Sequence, residues 1–446
     1  MGAAYAPFSY THMSLPNPVI VIPGITASDL RDEYSTETER IWSLISKQYE
    51  RVYLHPDNVR FEARQPSIIR PDRVWGVVYT ELVEELRHEL TLSADKPVPV
   101  YPFAYDWRQP LRLTELHLER FIDEVIERTK LMPHYYQDGY SNRQQVNLVG
   151  HSMGGLIIAG YLQRMGVNAR VGKVASLGTP FRGSHEAVAR VATGLDRLGI
   201  EPSPSREREA ARITPALYHL VPHYEGAVES SAGGSADLFQ PENWQASVPM
   251  SVAQYVRLYS VMPARTPEQV KAAADELFAG MLDDARTYCQ RVDSLDLTAT
   301  SLGNQDNWLC VVGIGEKTRV RTRIVVEDGS KWFDLDRAED VTNQWPDGEM
   351  KTDTGDGTVP YFGAKPAFLE TANLICVCKR DYAWTEVGDR ALAQFGGLHG
   401  ALPVMNLNHR LISTHFLGLS VGDLWGHTPP DLAGDWAPPL KGLAQK

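Results

Sequence analysis

A serine hydroxyl attacks a carbonyl only when a base takes its proton and a carboxylate orients that base. Ser152 is the candidate nucleophile, within Gly150-His151-Ser152-Met153-Gly154, a GxSxG pentapeptide. The apolar run Val146-Asn147-Leu148-Val149 before it reads as a strand, and Gly155 to Arg164 after it reads as a helix. The serine therefore falls on a strand-to-helix elbow, where a strained turn projects the hydroxyl from the sheet edge. A side chain at 150 or 154 would meet neighbouring backbone, which accounts for glycine at both. The helix start adds N–H groups and a partial positive charge.

On such an elbow the partners follow in the order Ser, acid, His. Asp356 lies in Thr354-Gly355-Asp356-Gly357-Thr358-Val359-Pro360, where flanking glycines permit a tight bend; Asp353 is the second candidate. Of His399, His409, His415 and His427, His399 is favoured, in what reads as an exposed loop after the last strand. His409 and His415 fall in a C-terminal helix, where packing suits them better. A tetrahedral intermediate needs two N–H donors. The residue after the nucleophile, Met153, supplies one; Ile25, after Pro23-Gly24 at the end of the first strand, supplies the other. Gly24 lets backbone approach the substrate closely. His151 shapes the pocket, and Trp107 with Ile25, Met153 and Leu398 would make an apolar wall. Thr179 ends a strand at the carboxyl edge of the sheet, where ligands bind, in a structural more than a catalytic role.

Residues 18–180 alternate strand and helix. Strands are expected at 18–24, 97–104, 146–149 and 173–180, with helices at 76–90, 111–131 and 155–164. The pattern predicts a mostly parallel sheet flanked by helices on both faces. Residues 26–72 read as an irregular insertion near the site. Alternation stops at about 184, and 191–300 reads as a helical cap or lid, with an amphipathic helix over 206–224 broken at Pro215. Strands resume at 308–314 and 373–379. The organisation is thus a core over 14–190, a cap over 191–300, and the rest of the core over 301–446.

The chain has 446 residues, 43% of them hydrophobic, which excludes a disordered or fibrous protein. With 44 Lys and Arg against 56 Asp and Glu, the formal net charge is −12, which disfavours nucleic acid as a partner. The four cysteines show no zinc-type pairing, and reduced core cysteines are expected. The N-terminus lacks the basic and apolar regions of a signal peptide. A cytoplasmic location is expected, with signal-less export open. No cofactor and no metal is expected.

The set PVIVIPGI, AYDWRQP, GHSMGG, LGTPFRGS, ALYHLVP and TGDGTVP, with a late His-Gly loop, resembles the lecithin:cholesterol acyltransferase family of α/β-hydrolases. The resemblance runs from residue 18 to about 409. It implies an α/β-hydrolase fold, lipid acyl-ester chemistry, Ser152, Asp356 and His399 as a triad, and Ile25 and Met153 as oxyanion donors. A lipid or other ester is the expected partner, with transient contact to a membrane surface. Acyl transfer to an alcohol, a non-lipid carboxylesterase, and a non-catalytic ligand-binding module are the alternatives.

Overall fold

The computed structural model describes residues 14–194, 205–262, 266–335, 354–382 and 397–446. At its centre lies a six-stranded parallel sheet. In chain order its strands are β1 (Val19–Ile22), β2 (Val100–Pro102), β3 (Val146–His151), β4 (Val171–Leu177), β5 (Trp308–Ile314) and β6 (Leu374–Cys378). Their order across the sheet is β6-β5-β4-β3-β1-β2.

These strands are near-continuous apolar runs because both sheet faces are covered. Alternate side chains serve opposite faces. Val19 and Val21 pack with α1 (Gly76–Leu90) and the C-terminal helix α4 (Asn406–Leu417). Ile20 and Ile22 pack with α2 (Leu111–Lys130) and α3 (Met153–Met165). Leu118, Ile122, Val125 and Ile126 form the buried stripe of α2, as their spacing predicts. In register, Ile22 lies beside Gly150 and Gly150 beside Ser176. The carboxyl ends of β1, β3 and β4 therefore deliver Pro23-Gly24, Ser152 and Gly178 to one edge.

Three regions differ from the expectation. The 26–72 insertion is ordered rather than irregular. Glu39–Trp42, Ser28–Asp32 and Ile69–Val74 form a three-stranded antiparallel sheet, and Leu54–His55 pairs with Asn58–Glu62. Register shifts at 28–31 break the period-2 pattern that would have marked the strands. Between β4 and β5 the chain is mainly helical, but Val228–Ser230 pairs with Thr322–Glu327, which forms a hairpin with Ser330–Asp334. That hairpin turns on Asp328 and Gly329, both with positive φ (48° and 75°). Finally, the 206–224 helix breaks as expected, into Ser205–Arg212 and Pro215–Tyr218, but it is not a lightly attached lid. Residues 213–222 are buried. Arg212 donates to the carbonyls of Val191 and Ala192 and to Ser247 and Ser251.

The long helix Pro267–Asp293 packs on α3, where Tyr288 Oη donates to the Leu156 carbonyl at 2.9 Å. Gly160 admits this layer. A Cβ there would lie 2.1 Å from Glu115 Oε1 and 2.2 Å from Tyr288 Oη.

The antiparallel insertion is tied to the core by buried charge. Arg108 Nη2 lies 2.7 Å from Asp106 Oδ2 and 3.3 Å from Glu62 Oε1. Removing one member of a buried ion cluster strands the others without solvent. Arg108→Ala is expected to lose about 3–5 kcal/mol in urea denaturation. A loss below about 1 kcal/mol, the range of an exposed pair, would contradict this reading.

Candidate active site

Ser152 sits between β3 and α3 with φ 54° and ψ −128°, a conformation that side chains disfavour. Such strain costs of order 1–3 kcal/mol and persists only where surroundings enforce it. Here the Ser152 N–H donates to the Leu177 carbonyl at 2.9 Å, pinning the turn to β4. The two elbow glycines fill no space to spare. A Cβ at 150 would lie 2.6 Å from the Gly155 nitrogen, and one at 154 would lie 2.3 Å from the Ile22 carbonyl oxygen.

His399 Nε2 lies 3.0 Å from Ser152 Oγ, and its Nδ1 lies 2.6 Å from Asp356 Oδ2. Asp356 is almost wholly buried, and its other oxygen accepts the N–H groups of Thr358 (2.9 Å) and Val359 (2.7 Å). The carboxylate is thereby aimed at the ring. With Nδ1–H donated to Asp356, Nε2 carries the lone pair that faces the serine hydroxyl. The His399 N–H also donates to the Asp356 carbonyl at 3.0 Å.

His399 is not on a loop. Residues 397–401 are helical, because Leu398, Ala401 and Leu402 recur at helical spacing and bury together. His409 and His415 lie on α4, both buried, with burial depressing both imidazoles, His415 to about 3. Asp353 falls outside the described residues.

His151 is buried beside Ser152 and His399. Its Nε2 donates to the His399 carbonyl at 3.0 Å, so its Nδ1 must accept, and the Tyr79 hydroxyl donates there at 2.7 Å. Desolvation, then the neighbouring His399, hold His151 well below the ordinary imidazole range, so it stays neutral. Tyr79 Oη accepts the Gly24 N–H at 2.9 Å, while Tyr105 Oη donates to the Pro23 carbonyl at 3.0 Å. Both polar groups of the Pro23–Gly24 peptide are thus held by tyrosines. The plane of the loop that leads to Ile25 is fixed, and it is linked through Tyr79 and His151 to the backbone of His399.

A cavity of about 830 Å³ opens at these groups. Gly24, Ile25, His151, Ser152 and His399 line it, with Val77, Ala187, Leu217, Leu220 and Val359 among its apolar walls. Met153 and Leu398 are fully buried behind it rather than in the wall. Trp107 is not in the wall either: it packs on Trp42, with ring centroids 4.7 Å apart. Thr179 packs against α3, where a Cβ on Gly155 would lie 2.0 Å from its Oγ1. Direct substrate contact by Trp107 or Thr179, one of the expectations from sequence, therefore finds no counterpart in this geometry.

Sequence reasoning missed Tyr79, which falls beside the apolar stripe of α1, and Gly178. Gly178 has φ +54°, and a Cβ there would lie 2.9 Å from Asp356 Oδ2 and 3.2 Å from His399 Nδ1. Only glycine meets both demands. The signal available was its place at the end of β4, in the Leu-Gly-Thr-Pro block.

Residues 69–272 match the family model for lecithin:cholesterol acyltransferase. The matched stretch contains the elbow and ends before Asp356 and His399. A solved structure, "The crystal structure of Tle4-Tli4 complex", superposes with a TM-score of 0.57 at 14% identity, covering 92% of this chain and 100% of that one. The fold is that of the α/β-hydrolases. No curated protein matches the chain. Among the described residues no helix is long and apolar enough to cross a membrane.

Tyr79→Phe keeps the ring but leaves the Gly24 N–H and His151 Nδ1 without their shared partner. An unpaired buried polar group costs about 1–3 kcal/mol. A fall in stability of that size in urea denaturation is expected, and an unchanged midpoint would contradict the assigned network.

Proposed function

We propose that the protein is a serine hydrolase of lipid acyl esters that works through an acyl-enzyme. The observation that carries this reading is the continuous path from Asp356 through His399 to a strained, cavity-facing Ser152. His399 Nε2 takes the Ser152 proton as Oγ attacks the ester carbonyl. The new oxyanion is received by the N–H groups of Ile25 and Met153; the first N–H groups of a helix have no acceptor within it, which suits Met153 at the start of α3. Asp356 keeps Nδ1 protonated and stabilises the imidazolium. His399 then gives its proton to the departing alcohol. Water, activated by the same imidazole, releases the acid and restores Ser152.

The lipid preference is supported by the cavity and its surroundings. Its volume is within the usual range for ligand sites, and its walls are largely apolar. Leu44 and Val77 line it while 47% and 52% exposed, and neighbouring Ile45 is 96% exposed. An apolar edge of this kind suits a substrate delivered from a lipid surface. Glu186, Arg190, Glu316, Lys317 and Lys379 also line the cavity and could receive a polar headgroup. In the same reading residues 191–300 act as a cap that contributes Leu217 and Leu220 to the wall, and 14–190 with 301–446 form the core. Ser152, Asp356 and His399 are the catalytic residues; Gly24 and His151 shape the site.

Purified protein mixed with a total lipid extract, and with a nitrophenyl ester series of rising chain length, should release free fatty acid and favour long chains. Ser152→Ala should fold normally and lose at least about 10⁴-fold in rate, the scale seen when a triad member is removed. Retention of near-wild-type turnover by Ser152→Ala would overturn the mechanism. A preference for short chains would overturn the lipid assignment, and acylated alcohol in place of free acid would move the reaction to acyl transfer.

A further inference from the structure

A second cluster of chemically competent side chains lies away from the cavity wall. Cys378 ends β6, Asp381 closes the turn Lys379–Asp381, and His427 follows the short strand Leu424–Gly426. All three are buried. The chain tail is brought to β6 by two backbone hydrogen bonds between Cys376 and His427, at 3.3 and 2.8 Å. Three ligand-type atoms then converge. His427 Nε2 lies 3.5 Å from Cys378 Sγ and 2.9 Å from Asp381 Oδ2, and all three atoms lie within 4.8 Å of one another.

Those separations fit a tetrahedral ion. With zinc–sulfur near 2.3 Å and zinc–nitrogen and zinc–oxygen near 2.0–2.2 Å, ligand atoms sit roughly 3.3–3.6 Å apart. The sulfur–nitrogen edge already has that length, the nitrogen–oxygen edge needs to open by only a few tenths of an ångström, and the sulfur–oxygen edge lies within 4.8 Å. Neighbouring groups fix the orientation of the imidazole and the carboxylate. His427 Nδ1 faces the Lys446 carbonyl at 3.2 Å, which turns Nε2 toward the cluster. Asp381 Oδ1 accepts the Trp425 Nε1–H at 2.9 Å, and Oδ2, which faces the other two atoms, accepts the Cys378 backbone N–H at 2.8 Å, so the carboxylate is held in place from both sides. A thiolate and a carboxylate together neutralise a dication, so the loaded site would bury no net charge.

We propose that Cys378, Asp381 and His427 form a binding site for a zinc-like divalent ion, with water at the fourth position. Thiolate plus imidazole selects zinc or cobalt over magnesium or calcium. The site is structural: none of the three residues lines the cavity. A bound ion would rivet the end of β6, from which the chain proceeds to His399, onto the C-terminal strands Leu424–Gly426 and Leu443–Gln445. Sequence spacing hides such a site, because the imidazole comes from far downstream and a neighbouring strand brings it in.

The test uses full-length protein stripped with a chelator and titrated with Co²⁺, then Zn²⁺. The site predicts one cobalt per chain, a thiolate-to-cobalt charge-transfer band, visible bands of a tetrahedral ion, and loss of both on adding zinc. Elemental analysis should give one zinc per chain, and zinc should raise the melting temperature. Cys378→Ser should abolish the charge-transfer band and Cys289→Ser should keep it. A saturating titration of wild-type protein with no thiolate band and no stoichiometric zinc would overturn the proposal, whatever the variants do. So would a band that survives Cys378→Ser. None of these readings depends on ester turnover, so failure here leaves the hydrolase reading standing, and the reverse holds.

Discussion

Ser152 occupies a backbone conformation that an isolated chain would leave, and the structure around it is what prevents that. The strain is borne by parallel strands whose carboxyl ends are level. β4 accepts the Ser152 N–H, β1 lies so close that position 154 has no room for a methyl group, and α3 begins immediately afterwards. Parallel sheets with both faces covered are rigid enough to hold such a turn. In the proposed mechanism a serine held in this way is already in place for attack.

The same edge gathers the other groups named in the proposed mechanism. Asp356 sits against Gly313 of β5, where a Cβ would lie 2.5 Å from its own Cβ, and Gly178 of the β4 end leaves room for the carboxylate–imidazole pair. The Pro23–Gly24 peptide is clamped by Tyr79 and Tyr105. His151 joins this clamp to the backbone of His399. Because His151 is neutral and each hydrogen bond has one possible direction, the chain from Gly24 to His399 has a single arrangement. The loop leading to Ile25 and the His399 backbone are thereby positioned as one unit.

Much of this was legible in the residues. The elbow announces itself through glycine spacing and an apolar run on one side with a helix on the other. Chain order then singles out an aspartate between glycines and a histidine before Gly400. What was not legible depends on contacts between distant segments. Tyr79 meets Gly24 across 55 residues, and Tyr105 meets Pro23 across 82. No local pattern encodes either. The small sheets of the insertion were hidden by bulges that break the alternation. The hairpin at Asp328-Gly329 carried an ordinary turn signal and could have been found. The helix under His399 was obscured by its glycines, although Leu398, Ala401 and Leu402 have the right spacing.

The central claim is that one serine alone is poised to attack a carbonyl-like centre. An alkyl fluorophosphonate tests it directly, since phosphonylation requires an activated hydroxyl but no knowledge of the natural ester. Intact mass followed by peptide mapping should find a single adduct on Ser152. Protein left unlabelled at saturating reagent, or labelled elsewhere with Ser152 untouched, would contradict the account.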